Sequence, residues 1–331
     1  MGILAQLILY GDSFKQMVGV LQFSMSFLFL GWSSSIIMVA MLFTSYWYLP
    51  LLYATWYYYD RHTQLKGGRR SDTVRRWRVW RYYRDYFPYK LIKTADLPAD
   101  RNYIFACHPH GIMCFAPFLT FSTEASGFTE IFPGLTPYLL TSSTLHKYPL
   151  FREYFMLSGA VDASKESFKH LLTCQDSGQA LGLVVGGAAE ALEAAPGRFL
   201  VKLEDRKGFI KMALKYGASI VPVYSFGEEE LFKLLDRPEG SWITRFQRLV
   251  TKIFRISLPV FYGRAIGLYM VPFKEPIFTV VGEPIHVQKV EKPSPELVDE
   301  LHARYRKALE DLFETHKYLR NIPAEQHLNI K

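Results

Sequence analysis

Cysteine is scarce in this chain: Cys107, Cys114 and Cys174 are the three among 331 residues. The count is odd and no C-x-x-C pair occurs. That argues against a disulfide framework and the common zinc sites, so no metal is expected and a reducing, cytosol-facing environment is. G-x-S-x-G, G-x-G-x-x-G and P-loop patterns are also missing, and serine hydrolase, dinucleotide and NTPase readings lose their support. Met1-Gly2 is followed by Gln6 rather than Ser or Thr, so the myristoylation pattern fails. No internal repeat or low-complexity linker divides the chain. Aromatics, by contrast, make up 16%, too many for a disordered chain and suggestive of lipid contact.

Charge is missing from one long window. Gln16 to Tyr59 holds no Asp, Glu, Lys, Arg or His, whereas a single membrane span needs about 20 apolar residues. The window is long enough for two short helices, with a bend expected near Gly31-Trp32-Ser33-Ser34-Ser35. Trp47, Tyr48 and Trp56 to Tyr59 suit a headgroup-level belt. A cleaved signal peptide fits poorly, and a pair of buried core helices is the bland alternative. Directly after the window, basic residues from Arg61 to Arg84 crowd together, including "RRWRVWRYYR". The positive-inside rule places that flank in the cytosol, and anionic headgroups would attract it. Nucleic-acid binding is the rival reading of such a run; it is set aside because an uncharged segment abuts the run. Lys15 lies on the other side of the window. Residues 1–15 are thus expected to be a cytosolic N-terminus, 16–60 a transmembrane or re-entrant hairpin, and 61–331 a cytosolic, membrane-associated domain, with both termini in the cytosol.

Beyond about Leu91 the pattern is α/β. Short apolar runs predict buried strands at Tyr103–Cys107, Leu181–Val185, Phe199–Lys202, Ile220–Tyr224 and Phe278–Val281. Helices are expected over Ala163–Leu172, capped by Ser164, over Gly208–Tyr216, and from Pro295 onward behind the N-cap Ser294. Alternating strands and helices imply a mostly parallel sheet with covering helices.

Three stretches carry chemistry. In "IFACHPHGIMCF", His108-Pro109-His110-Gly111 follows a strand, where α/β folds place ligand loops. Imidazole is the commonest general base; a satisfied turn histidine and a metal ligand are the alternatives. In "LGLVVGGAAEALEAAPG", Gly186-Gly187 follow a strand and allow close approach of a ligand to the backbone, while Glu190 opens a helical run. Glu190 also reads as an ordinary helix-start charge. In "DRKGFIKMALKYGASIVPVYSFGEEE", Arg206, Lys207 and Lys211 surround a helix start and suit an anionic phosphate, or simply form a solvated face. Asp205 and Glu228 to Glu230 read as surface charges or caps.

These stretches, together with Tyr86-Phe87-Pro88, Phe132-Pro133-Gly134 and "PLFREY" (Pro149 to Tyr154), resemble the diacylglycerol acyltransferase type 2 family. That family includes monoacylglycerol acyltransferases and wax synthases, and the resemblance covers nearly the whole chain. It implies a glycerolipid-acyltransferase-like α/β sheet seated on the endoplasmic reticulum membrane, with lipid droplets as a further location. It also implies fatty acyl transfer from the co-substrate acyl-coenzyme A, without a bound cofactor, to a glycerolipid or fatty-alcohol hydroxyl. His110 is then the expected catalytic base and Glu190 its partner. His108, Gly111, Gly186 and Gly187 are supporting or oxyanion candidates; Arg152, Arg206 and Lys207 are candidates for the coenzyme A phosphates. A triad-like arrangement is expected, with Glu190 orienting the His110 imidazole. No cysteine lies beside an evident base, which disfavours an acyl-cysteine intermediate. The stretches "NIPAEQHL" and "ISLPVFYGR" point to 2-monoacylglycerol as acceptor, ahead of diacylglycerol and fatty alcohol. A membrane lipid-binding protein without catalysis is the reading from another class. No nucleic-acid partner is expected, and a homo-oligomer is left open.

Overall fold

A computed structural model describes residues 3–173, 177–235, 241, 245–247, 249, 260–264 and 270–331. Cys174 and parts of the stretches 256–264 and 264–277 lie outside the described residues.

Eleven strands occur among the described residues. They are β1 (Lys90–Lys93), β2 (Tyr103–His108), β3 (Thr136–Thr141), β4 (Ala160–Asp162), β5 (Gln179–Val184), β6 (Leu200–Val201), β7 (Ser219–Phe226), β8 (Lys233–Leu234), β9 (Phe261–Tyr262), β10 (Phe278–Val281) and β11 (Asn329–Ile330). Seven form one sheet in the order β1-β10-β7-β2-β5-β3-β4. Every neighbouring pair in it is parallel except β10 with β7. The expected mostly parallel sheet with covering helices is therefore present.

Strand β2 is buried along its whole length, as a central parallel strand covered on both faces must be. Its side chains alternate between two cores. Phe105 and Cys107 face one that includes Phe115, Phe118 and Phe121 together with Val20 and Phe23 of the first helix. Ile104 and Ala106 face another that includes Phe209, Ile210, Leu301, Tyr305 and Leu309. The period of two in a strand is what splits them.

Four of the five expected strands stand in this sheet. The fifth is corrected: Phe199–Lys202 shrinks to Leu200–Val201, which pairs with Asn329–Ile330 outside it. The short strands β1, β3 and β4 were not expected, because runs of three to six residues, with lysines in β1, a proline in β3 and three residues in all in β4, carry too little pattern. Helices cover Lys165–Thr173 and Gly208–Tyr216. The third, Pro295–His316, is capped by Ser294, whose hydroxyl accepts from the Leu297 N–H.

The N-terminal segment also needs one correction. Helix Ile3–Met25 runs through a π-helical turn, Ser26–Leu30, into helix Gly31–Met41. The helix is not broken at Gly31–Ser35, which open helix Gly31–Met41 with the hydroxyls of Ser33, Ser34 and Ser35 bonded back to the Leu30 and Gly31 carbonyls; the irregular stretch is the π-helical turn just before it. The chain instead turns between residues 42 and 47 before helix Tyr48–Asp60. Gly11–Met41 is long and apolar enough to cross a membrane by length and composition. Where it crosses helix Arg78–Tyr86, a Cβ on Gly19 would lie 2.6 Å from the Tyr83 nitrogen, so the two backbones touch.

Candidate active site

The C-terminal ends of β2 and β5 meet side by side, and this brings the two motif loops together. His110 lies two residues beyond β2, and Glu190 opens the short helix Ala188–Ala191 that follows β5. Glu190 is 2% exposed. One of its oxygens accepts from the His110 backbone N–H at 2.5 Å and the other from the Lys202 N–H at 2.7 Å. Burial pushes its carboxyl up to about 7, against the pull of those two bonds. The triad expectation is thereby corrected: Glu190 holds the main chain of His110, not its ring.

The ring is oriented by Gly111 instead. His110 Nδ1 lies 3.0 Å from the Gly111 carbonyl oxygen. A carbonyl only accepts, so Nδ1 carries the proton and Nε2 keeps its lone pair. Burial lowers the imidazole pKa, and the neutral form needed by a base is favoured. The backbone needed for this contact is special: Gly111 has φ +58, a region that costs L side chains energy.

Cys114 Sγ lies 3.5 Å from both ring nitrogens of His110. The expectation that no cysteine neighbours a base is therefore wrong. Burial, with Glu228 and Glu190 adding to it, pushes the thiol pKa well above its usual value. The group stays a protonated thiol, poor as a nucleophile.

His108 is fully buried, and its Nε2 is 2.9 Å from the Tyr305 hydroxyl. Tyr305 OH also donates to the Ala106 carbonyl, so His108 Nε2 is the donor to Tyr305. The residue braces strand β2 against the long C-terminal helix and does not line the cavity. Its pKa falls to about 3 through burial alone.

A cavity of about 1380 Å³ opens in front of His110, larger than the roughly 300–1,000 Å³ of ordinary small-molecule sites. One wall is apolar and comes partly from the N-terminal helix: Phe23, Phe27, Leu28 and Trp32, with Phe118 and Phe155. The lining also includes Arg198, Lys202, Arg206 and Lys233, with Lys202 ion-paired to Glu193, another lining residue. Gly187 lines it too, with φ +63 and ψ −169, backbone open only to glycine.

Of the three expected phosphate cations, only Arg206 faces this space, with Nη2 3.4 Å from the Gly186 carbonyl. Lys207 is corrected: it pairs on the surface with Asp299 at 2.7 Å. Arg152 is corrected as well. Its side chain is fully buried, ion-paired with Asp60 and Glu153, bonded to Gln64 Oε1, and set over the rings of Trp56 and Tyr57. It fastens helix Tyr48–Asp60 to the domain. Arg198, Lys202 and Lys233 were missed, since isolated cations in unpatterned loops carry no signal in the sequence.

Gly186 shows how tight the loop is. A Cβ there would overlap the Glu190 carboxylate. Gly186→Ala is expected to displace Glu190 and with it the His110 backbone, lowering kcat on the order of 10²-fold, as small misplacements at a reacting centre do. Activity per unit of folded protein in membranes checks this, and wild-type turnover would refute it.

A family model described as diacylglycerol acyltransferase matches residues 39–331. Diacylglycerol O-acyltransferase 2 of Danio rerio is 47% identical over 308 residues, covering 91% of this chain and 85% of that protein. 2-Acylglycerol O-acyltransferase 1 of Bos taurus is 46% identical over 316 residues, covering 95% and 94%. The crystal structure of a 1-acyl-sn-glycerophosphate acyltransferase from Thermotoga maritima covers 74% of this chain and 76% of that one, at 15% identity and a TM-score of 0.38, too distant to carry an inference. With the model matching most of the sequence and relatives approaching half identity along nine-tenths of it, the chain belongs to the diacylglycerol acyltransferase family.

Proposed function

We propose that this acyltransferase moves a fatty acyl group from acyl-coenzyme A to a glycerolipid hydroxyl at a membrane, with 2-monoacylglycerol as acceptor and diacylglycerol as product. The observation that carries the reading is His110, its Nδ1 held by the Gly111 carbonyl, in one cavity lined by both apolar and basic side chains. The apolar wall suits acyl chains; Arg198, Arg206 and Lys233 suit the phosphates of coenzyme A.

Nε2 of His110 takes the proton of the acceptor hydroxyl as its oxygen attacks the thioester carbonyl carbon. The resulting oxyanion collapses, the carbon–sulfur bond breaks, and the coenzyme A sulfur receives the proton from the imidazolium. The Gly111 carbonyl accepts from Nδ1–H throughout and stabilises the charged ring. Gly187 and the backbone that follows it are the oxyanion candidates at the cavity wall.

Residues 16–60 form the membrane hairpin in this reading, with 1–15 and 61–331 on the cytosolic side of the endoplasmic reticulum. The exposed apolar side chains Trp32, Ile36, Ile37, Phe43, Leu52 and Tyr59 support it, as does the exposed basic flank at Arg76, Arg78 and Arg81. A diacylglycerol acceptor is the second reading, since the Danio rerio relative so named is as similar as the Bos taurus one.

Membranes given labelled oleoyl-coenzyme A and, in parallel, monoacylglycerol, diacylglycerol and hexadecanol are expected to form labelled diacylglycerol fastest. Faster ester formation on diacylglycerol or hexadecanol would move the acceptor. Absence of ester from every acceptor would leave a non-catalytic lipid-binding protein.

A further inference from the structure

We propose that Glu228 is a positioning residue for His110, holding the far side of the turn whose near side Glu190 holds. Glu228 follows the end of β7 and is 2% exposed. Its two oxygens accept from the Phe115 and Ala116 backbone N–H groups, each at 2.8 Å. These open helix Phe115–Ser122 and have no partner within it. The same side chain presses on Gly111: a Cβ there would fall 2.7 Å from Glu228 Cγ and Oε1.

Between those contacts lies Cys114, in a left-handed conformation with φ 56 and ψ 48, which costs a residue other than glycine energy unless its neighbours enforce it. Glu228 enforces it from both flanks. Its consequence is a thiol set against the His110 ring, while the Gly111 carbonyl binds Nδ1. Glu228 thus touches neither imidazole nor cavity, yet bears on both groups that aim the imidazole. This rests on His110 being the base.

Glu228→Gln keeps the size and one acceptor oxygen but turns an NH₂ toward one of the two backbone donors. In membranes, kcat is expected to fall about 10²-fold, with KM for acyl-coenzyme A and for the acceptor unchanged. In a His110→Ala background the same substitution is expected to cost nothing further, because no imidazole remains to be aimed; damage to the fold at large would lower the residual rate again. Wild-type kcat, a raised KM with kcat intact, or an undiminished loss on top of His110→Ala would each overturn the proposal. If Glu228→Gln does not accumulate, Gly111→Ala pushes on the same contact from the other side and is expected to lower kcat alike; wild-type kcat in it overturns the proposal equally. Near-normal activity of His110→Ala alone would instead remove the base assignment, so the two failures are distinguishable.

Discussion

His110→Ala is expected to lower acyl transfer roughly 10²–10⁴-fold, to a small residual rate, while the protein still accumulates in membranes. General base catalysis contributes roughly 10²–10⁴-fold, and a lipid alcohol with no base near it is a poor nucleophile. Three features of the site bear on this. Burial keeps the ring neutral at pH 7. The Gly111 carbonyl accepts from Nδ1–H and leaves the Nε2 lone pair as the acceptor, with the Cys114 thiol 3.5 Å from it. Cys114, the other nucleophilic group at hand, is held as a thiol. The substitution leaves the Glu190 bond to the residue 110 backbone in place, so a loss of rate would report the imidazole rather than the loop. Turnover of labelled oleoyl-coenzyme A, normalised to membrane-bound protein, checks it; near-normal activity would remove the mechanism.

Arg152→Ala is expected to act on stability first. It takes from the Asp60 carboxylate, only 14% exposed, its buried partner and leaves Arg69 as the remaining cation. Breaking a buried pair so that one charge is left uncompensated costs about 3–5 kcal/mol; Arg69 offsets part of that here, while the contacts with Trp56 and Tyr57 are lost as well. The melting temperature in detergent should fall, and activity with it, because helix Tyr48–Asp60 loses its fastening to the rest of the fold. A phosphate-binding arginine would behave differently, raising KM for acyl-coenzyme A while leaving the melting temperature intact. Arg152→Lys should recover little, since an ammonium cannot reach Asp60, Glu153 and Gln64 together from one planar fork.

Much of the fold was legible because it is written in local periodicity. The apolar runs at 103–107 and 220–224 stand in the sheet, and Ser294-Pro295 begins the last helix as capping chemistry requires. Glu228 was not legible. Three consecutive glutamates after a glycine resemble a solvated turn, and only the depth of the β7 end shows that the first of them is buried beneath the His110 loop. Arg152 misled for the complementary reason: a lone arginine beside an aromatic pair has the same sequence appearance whether it meets a phosphate or a buried aspartate.

By itself the sequence determined the uncharged window at 16–59, the basic flank, the strand and helix segments, and the residue types available for acyl transfer. Each of these depends on neighbours within a turn or two of chain. The tertiary structure decided which polar groups meet. Glu190 reaches His110 across 80 residues, and Tyr305 reaches His108 across 197. Such pairings follow from strand order and crossover, which bring distant strand ends together, and no local pattern encodes them. That is why the motif residues were found in the sequence, while the direction of the imidazole, and what aims it, came only from the packed fold.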